Sequence, residues 1–265
     1  MKSRLFKLKF MNDIITSTSN QITKLTKKLF DDKKYRDKSN LFVCQSKKII
    51  TTLIGLDFKL DKIIISENSK YLVKFKYFDN AVIVSKHVYD YMSHQENGDG
   101  LIAIFNKKAK NKTLDYNDNI FILDNIQNPS NLGAILRTCA AFDIKNIILT
   151  NNAVDPYNFK VIQASMGYGL NMNLIYSNNL NKIIKDLQIK GYKVCATGFN
   201  KKAISLQQLD VKPNKITIIF GNEGSGLKPE HMNLCDQITY IPINNKVDSL
   251  NLSNAVAIIA YIIKS

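Results

Sequence analysis

Over residues 20–30, NQITKLTKKLF, the apolar positions Ile22, Leu25 and Leu29 recur at helical spacing with lysines between them, which predicts an amphipathic helix. Asn40 to Cys44 then reads as a short strand leading into a helix over 47–54. Three β-rich apolar runs follow, KIIIS at 62–66, AVIVS at 81–85 and LIAIF at 101–105, with segments between them, 69–76 and 86–93, that suit short helices. HQENGDG, residues 94–100, is a turn-rich loop. These elements predict a small α/β domain over residues 12–106, preceded by a basic tail, 1–11.

Residues 107–118 are polar and charged and almost free of aliphatic side chains, which marks a linker. Beyond it, over 119–265, six strand candidates appear: FILD at 121–124, NIILT at 146–150, LIY at 174–176, KVCAT at 193–197, ITIIF at 216–220 and ITYI at 238–241. Most are unbroken apolar runs, as strands buried on both faces should be. Helix-like segments at 131–142, 157–166, 180–190 and 251–263 alternate with them, so the expected fold class is α/β, a parallel sheet with helices on both sides. In such sheets ligands bind beyond the carboxyl ends of the strands.

The formal charge is +15, from 37 Lys plus Arg against 22 Asp plus Glu. It is uneven: the residues before Thr113 carry +12 and those from Thr113 onward +3. An excess of this kind on one module is the electrostatic footprint of a polyanion binder. Of the cations only Arg4, Arg36 and Arg137 are arginines, and an interior Arg in a lysine-rich chain suggests a planar fork for carboxylate or phosphate. No run of about 18 apolar residues predicts a membrane-spanning helix. The cysteines at 44, 139, 195 and 235 show no C-x-x-C spacing and read as small buried hydrophobes in a reducing cytosol, with no metal expected. The cytoplasm is therefore the expected compartment; the start MKSRLFKLKF also fits an organellar targeting segment, a basic arm on RNA, or an upstream start before Met11.

Three loops that follow strands are rich in Gly, Asn, Ser or Pro. In NIQNPSNLGAILR, residues 125–137, Pro129 and Ser130 can start a helix with Asn131 at its mouth and Arg137 about two turns in. FGNEGSGL, 220–227, has three glycines in six residues but matches neither a dinucleotide-binding nor a Walker A loop. Its Glu223 would repel phosphate, so a nucleoside-like or cationic ligand fits better. In IPINNKVDSLNLSNAVAIIAY, 241–261, a polar loop ends in Ser249 or Asn251 at the start of an Ala/Ile-rich helix.

Together these loops resemble the three motifs of the SpoU/TrmH family of RNA ribose 2′-O-methyltransferases, within the α/β-knot (SPOUT) superfamily. NPSNLGAILRT at 128–138 resembles the first motif, FGNEGSGL at 220–227 the second and YIPINNKVDSLNLSNA at 240–255 the third, in the family's order. DPYNFKVIQASMG at 155–167 is similar to the segment between motifs one and two, and KKYRDKSNLFVCQSKKII at 33–50 to the start of the family's small substrate-binding domain. Two stretches depart from the pattern: Val43-Cys44-Gln45-Ser46, where the family commonly has an acidic residue and a glycine, and Gly169 to Leu174.

The resemblance implies a knotted catalytic domain that holds S-adenosyl-methionine in a bent form, in a homodimer whose active site lies near the subunit interface. Carried over by position, it implies that Gly221, Ile241 and Leu250 hold the cofactor, with Thr197 lining its adenosine side. It also implies that Asn131, Arg137, Glu223, Ser249 and Asn251 are the polar active-site residues. Because guanidinium is essentially never deprotonated, Arg137 reads as a clamp on the target phosphate and 2′-oxygen, and the proton acceptor stays open. The expected partner is RNA. Ribosomal RNA is favoured over tRNA by the separate basic first domain, with tRNA methylation or a non-catalytic ribosome-assembly role as alternatives.

Overall fold

The computed structural model describes residues 14–264 apart from 77, 97, 109–112, 151 and 212–214. The expectations for the tail 1–11 and for part of the linker lie outside the described residues. Two compact units are present: the first is built from the described residues up to Lys108 with Tyr157–Gly167, the second from those between Lys108 and Tyr157 and from Tyr168 onward.

The first unit opens with α1 (Gln21–Asp31), capped by Asn20, whose Oδ1 accepts from the Ile22 amide at 2.9 Å. A second helix, α2 (Lys33–Ser39), has no apolar period to announce it. It is held by a polar device instead: buried Arg36 donates from Nη1 to the carbonyls of Leu29 at 3.0 Å and Phe30 at 3.1 Å, in the last turn of α1. Next come β1 (Leu41–Gln45), α3 (Lys47–Gly55), β2 (Leu60–Ser66), α4 (Leu72–Phe75), β3 (Ala81–Val84), α5 (Lys86–Met92) and β4 (Leu101–Asn106). The sheet order is β1-β4-β2-β3, with β4 antiparallel to both neighbours and β2 parallel to β3. The helix expected over 69–76 shrinks to one turn because the Ser69 hydroxyl accepts from the Tyr71 amide and donates to the Asp99 carbonyl, bonds that compete with helical ones. Ser46, within one stretch that departs from the family pattern, stands at φ 79°, where glycine would be unstrained.

Residues 157–167, which chain order assigns to the second domain, pack in the first unit. They carry α6 (Phe159–Ser165), whose Phe159 meets Phe30 edge-on at 5.1 Å, while Tyr157 lies 5.0 Å from Phe42. Burial of these rings outweighs sequence proximity.

The second unit holds β5 (Ile120–Asp124), α7 (Pro129–Ala141), β6 (Asn146–Thr150), β7 (Asn173–Ser177), α8 (Leu180–Ile189), β8 (Lys193–Thr197), β9 (Ile204–Ser205), β10 (Ile216–Phe220), α9 (Pro229–Met232), β11 (Gln237–Tyr240) and α10 (Leu252–Lys264). Seven strands form one sheet in the order β7-β6-β5-β10-β8-β11-β9, and every neighbouring pair is parallel. β5, β6 and β10 are buried along their whole length, as their unbroken apolar runs require. Ile184 and Leu187 of α8 pack over Ile120, Val194 and Ile219 in one buried cluster, and α7 packs against α10. The strand order reverses where β5 meets β10, so the loops leaving these two strands open a crevice at a topological switch point.

Candidate active site

At the end of β5 the chain turns through Asn125, at φ 57°. Asn128 then caps α7: its Oδ1 accepts from the amides of Ser130 at 2.9 Å and Asn131 at 3.3 Å, with Pro129 in the first turn, where its missing N–H costs nothing. These bonds fix Asn131 at the helix mouth beside the switch point.

From the neighbouring strand β10, Gly221 enters a tight reversal in which Asn222 and Gly226 exchange backbone hydrogen bonds of 3.1 and 2.9 Å. A Cβ on Gly221 would lie 2.3 Å from the Gly226 carbonyl carbon and 2.4 Å from the Leu227 nitrogen, so only glycine fits. Asn222 organises the turn. Its Oδ1 accepts from the Gly224 and Ser225 amides, and its Nδ2 donates to the Asn125 carbonyl at 2.8 Å and to Glu223 Oε2 at 3.3 Å.

The third loop delivers Asn251 to the start of α10, where its Oδ1 accepts from the Ser253 amide at 2.9 Å and hydroxyl at 2.7 Å. Its Nδ2 donates to Asn131 Oδ1 at 3.2 Å, and Asn131 Nδ2 donates to Glu223 Oε1 at 3.2 Å. One residue from each loop thus joins a continuous chain of amide donors ending on a carboxylate, both of whose oxygens accept an amide N–H.

These groups stand in the wall of a cleft of about 1010 Å³. Eight of the nine residues singled out from the sequence line it: Asn131, Thr197, Gly221, Glu223, Ile241, Ser249, Leu250 and Asn251. Arg137 does not. It lies six residues beyond Asn131, about 600° round α7, and is exposed on another face of that helix. Thr197 turns its hydroxyl to the Ile219 carbonyl at 3.0 Å. Sequence reasoning missed Asn128 and Asn222, although both lie inside the quoted motifs. It also missed Phe199 and Tyr240 on the cleft wall, whose rings meet edge to face at 5.1 Å; a lone aromatic just past β8, or at the last position of β11, carries no signal of its own.

All four cysteines are free. Burial holds the Cys44 and Cys139 thiols well above their ordinary range and pushes Cys195 and Cys235 up to about 12, so none supplies a thiolate near neutral pH. Among the described residues no helix is long and apolar enough to cross a membrane.

The SpoU rRNA Methylase family model matches residues 118–261, which contain all three loops and the cleft. The chain belongs to this family. It is 32% identical over 180 residues to an uncharacterized tRNA/rRNA methyltransferase of Mycoplasma pneumoniae, an alignment spanning 64% of this chain and 73% of that protein. It is 24% identical over 247 residues to the 23S rRNA (guanosine(2553)-2'-O)-methyltransferase of Bacillus subtilis, spanning 93% of this chain and 97% of that one. The fold is similar to that of the AdoMet-bound rRNA methyltransferase from Sinorhizobium meliloti, with a TM-score of 0.80 at 24% identity over 93% of this chain and 95% of the other.

Proposed function

We propose that this chain transfers the methyl group of S-adenosyl-methionine to a ribose 2′-hydroxyl of ribosomal RNA. The observation that carries this reading is the hydrogen-bonded chain Asn251–Asn131–Glu223 in the wall of a cleft at the switch point. The cleft suits a nucleoside bearing positive charge, since Glu223 offers a carboxylate in its wall. When bound, the cofactor supplies a methyl on a sulfonium for in-line attack by oxygen. Gly221, Ile241 and Leu250, which line the cleft, would hold it, with Thr197 beside its adenosine part.

The chain's own residues then contribute alignment and charge. Asn131 and Asn222 orient Glu223, while Asn251 fixes the amide of Asn131 so that its Nδ2 faces the carboxylate. Arg137, which stands off the cleft wall, is assigned the clamp on the target phosphate and 2′-oxygen that the family resemblance implies, and Ser249 adds a hydroxyl to the wall itself.

RNA docking on the first unit is supported by lysines set against aromatic rings. Lys47 and Lys70 lie 5.2 and 5.3 Å from the Tyr71 ring centroid and Lys27 lies 5.2 Å from that of Tyr91. We read the second unit as the α/β knot, which is supported by β10 lying between β5 and β8 with α10 packed on α7. A homodimer is supported by the apolar face of α10, where Ile258 and Tyr261 stay exposed and a second copy could cover them. The proposed compartment is the cytoplasm, in keeping with the four free cysteines.

The test is methyl transfer from labelled S-adenosyl-methionine to total rRNA and, separately, total tRNA from a strain lacking this protein, with ribose methylation mapped by alkali-resistant linkages. Label at one rRNA position is the expected result. Label in tRNA alone overturns the substrate, and cofactor binding without transfer to either points to a non-catalytic RNA-binding role.

A further inference from the structure

The cleft is chemically polarised. Its polar end lies at the mouths of β5 and β10, where Asn131, Glu223 and Asn251 meet. Its other end lies over β8 and β11, one and two strands away from β10, hence up to roughly 10 Å along the sheet. There Thr197 and Thr239 both turn their hydroxyls to main-chain carbonyls, of Ile219 at 3.0 Å and Ile204 at 3.3 Å. With those hydroxyls engaged, this end of the wall is mainly apolar, completed by Ile241 and by the Phe199 and Tyr240 rings.

Phe199 is 78% exposed, which is extreme for an aromatic ring in the wall of a cleft. Its edge-to-face contact with Tyr240, at 5.1 Å and 84°, engages little of the ring surface. The turn that carries it is nevertheless pinned on both sides. Gly198 donates to the Thr239 carbonyl at 3.0 Å, and a Cβ there would come within 2.9 Å of the Met232 methyl group, which would have to shift. Asn200 accepts from the Lys202 amide at 2.8 Å and, through its carbonyl, from the Ala203 amide at 3.1 Å. A fixed turn thus presents a nearly bare aromatic face at the apolar end of the cleft.

We infer that Phe199 is the platform for the adenine of S-adenosyl-methionine, stacking on the nucleobase at the end of the cleft opposite Glu223. The inference rests on the cofactor reading given above. It assigns the affinity for adenine to a ring outside the three motifs. The competing occupant is a base of the RNA, since Lys201 and Lys202 follow directly. Adenine is favoured because the ring belongs to the same wall as Thr197, Ile241 and Leu250.

The chain contains no tryptophan, so Phe199→Trp adds its sole indole at the position in question. Its emission should change saturably with S-adenosyl-methionine and S-adenosyl-homocysteine, at the midpoint found by calorimetry, and not with methionine. Phe199→Ala should weaken cofactor binding by roughly tenfold and Phe199→Tyr should restore it, while the exposed position leaves folding intact. An Ala variant that binds the cofactor like wild type overturns the inference, as does Trp emission that responds to RNA and not to the cofactor. A wild-type chain that binds no cofactor overturns the cleft reading itself, a distinct result.

Discussion

Asn131 donates to Glu223 Oε1 at 3.2 Å across 92 residues of chain, and its own carbonyl oxygen is held by Asn251. An amide is needed here because it donates on one side and accepts on the other. Asn131→Ala should lower kcat by roughly 100-fold with cofactor affinity nearly unchanged. Asn131→Asp sets two carboxylates against each other, so its residual activity should rise as pH falls and one of them takes up a proton. A pH–rate profile for the Asp variant that parallels wild type removes this coupling.

Gly221 is required by space. A Cβ would lie 2.3 Å from the carbonyl carbon of Gly226, a backbone atom that cannot move alone. Gly221→Ala should destabilise the second unit by about 2 kcal/mol or more and abolish cofactor binding. Thermal unfolding and calorimetry check both, and an unperturbed variant would mean the reversal is looser than described.

Arg137 is exposed and lies off the cleft wall. Arg137→Lys should therefore leave stability within about 0.5 kcal/mol of wild type and leave cofactor binding intact. Methyl transfer should fall sharply, because ammonium lacks the bidentate fork. Unchanged turnover would remove Arg137 from its role as a clamp.

His94 stacks on Phe30 with ring centroids 4.4 Å apart. Burial, assisted by Lys27 and Lys160 and opposed by Asp31, holds it below its ordinary value of 6.5. The folded state therefore resists protonation more than the unfolded chain does. Its contribution is fully present above 6.5 and is lost as pH falls through the folded value. His94→Phe, which keeps a ring on Phe30, should flatten the fall in denaturation midpoint between about pH 7 and pH 5. A variant with the same pH dependence as wild type places the sensitivity elsewhere.

Much of the fold was legible because buried parallel strands declare themselves as unbroken apolar runs. β5, β6 and β10 were found almost residue for residue in FILD, NIILT and ITIIF. α2 was not, since its fixing contact is the buried guanidinium of Arg36 on the carbonyls of α1, which leaves no apolar period. The two-residue strand β9 was also missed, being too short to carry an alternation. At the site, Asn131, Glu223 and Asn251 could be named from their motifs. Asn222 sits in the same run as Glu223, yet its role appears only once the Asn125 carbonyl is beside it.

The amino-acid sequence by itself determined the local units: which runs are strands, where Pro129 and Ser130 start one helix and Asn251 another, and which positions carry the SpoU motifs. Those choices depend on contacts a few residues apart. Tertiary structure alone decided the strand order that puts β10 between β5 and β8, the transfer of residues 157–167 to the first unit, and the side of α7 on which Arg137 stands. It also set Phe199 against Tyr240. These outcomes depend on contacts between distant residues and on rotation about a helix, where burial and hydrogen-bond partners are supplied by other elements and local pattern has nothing to report.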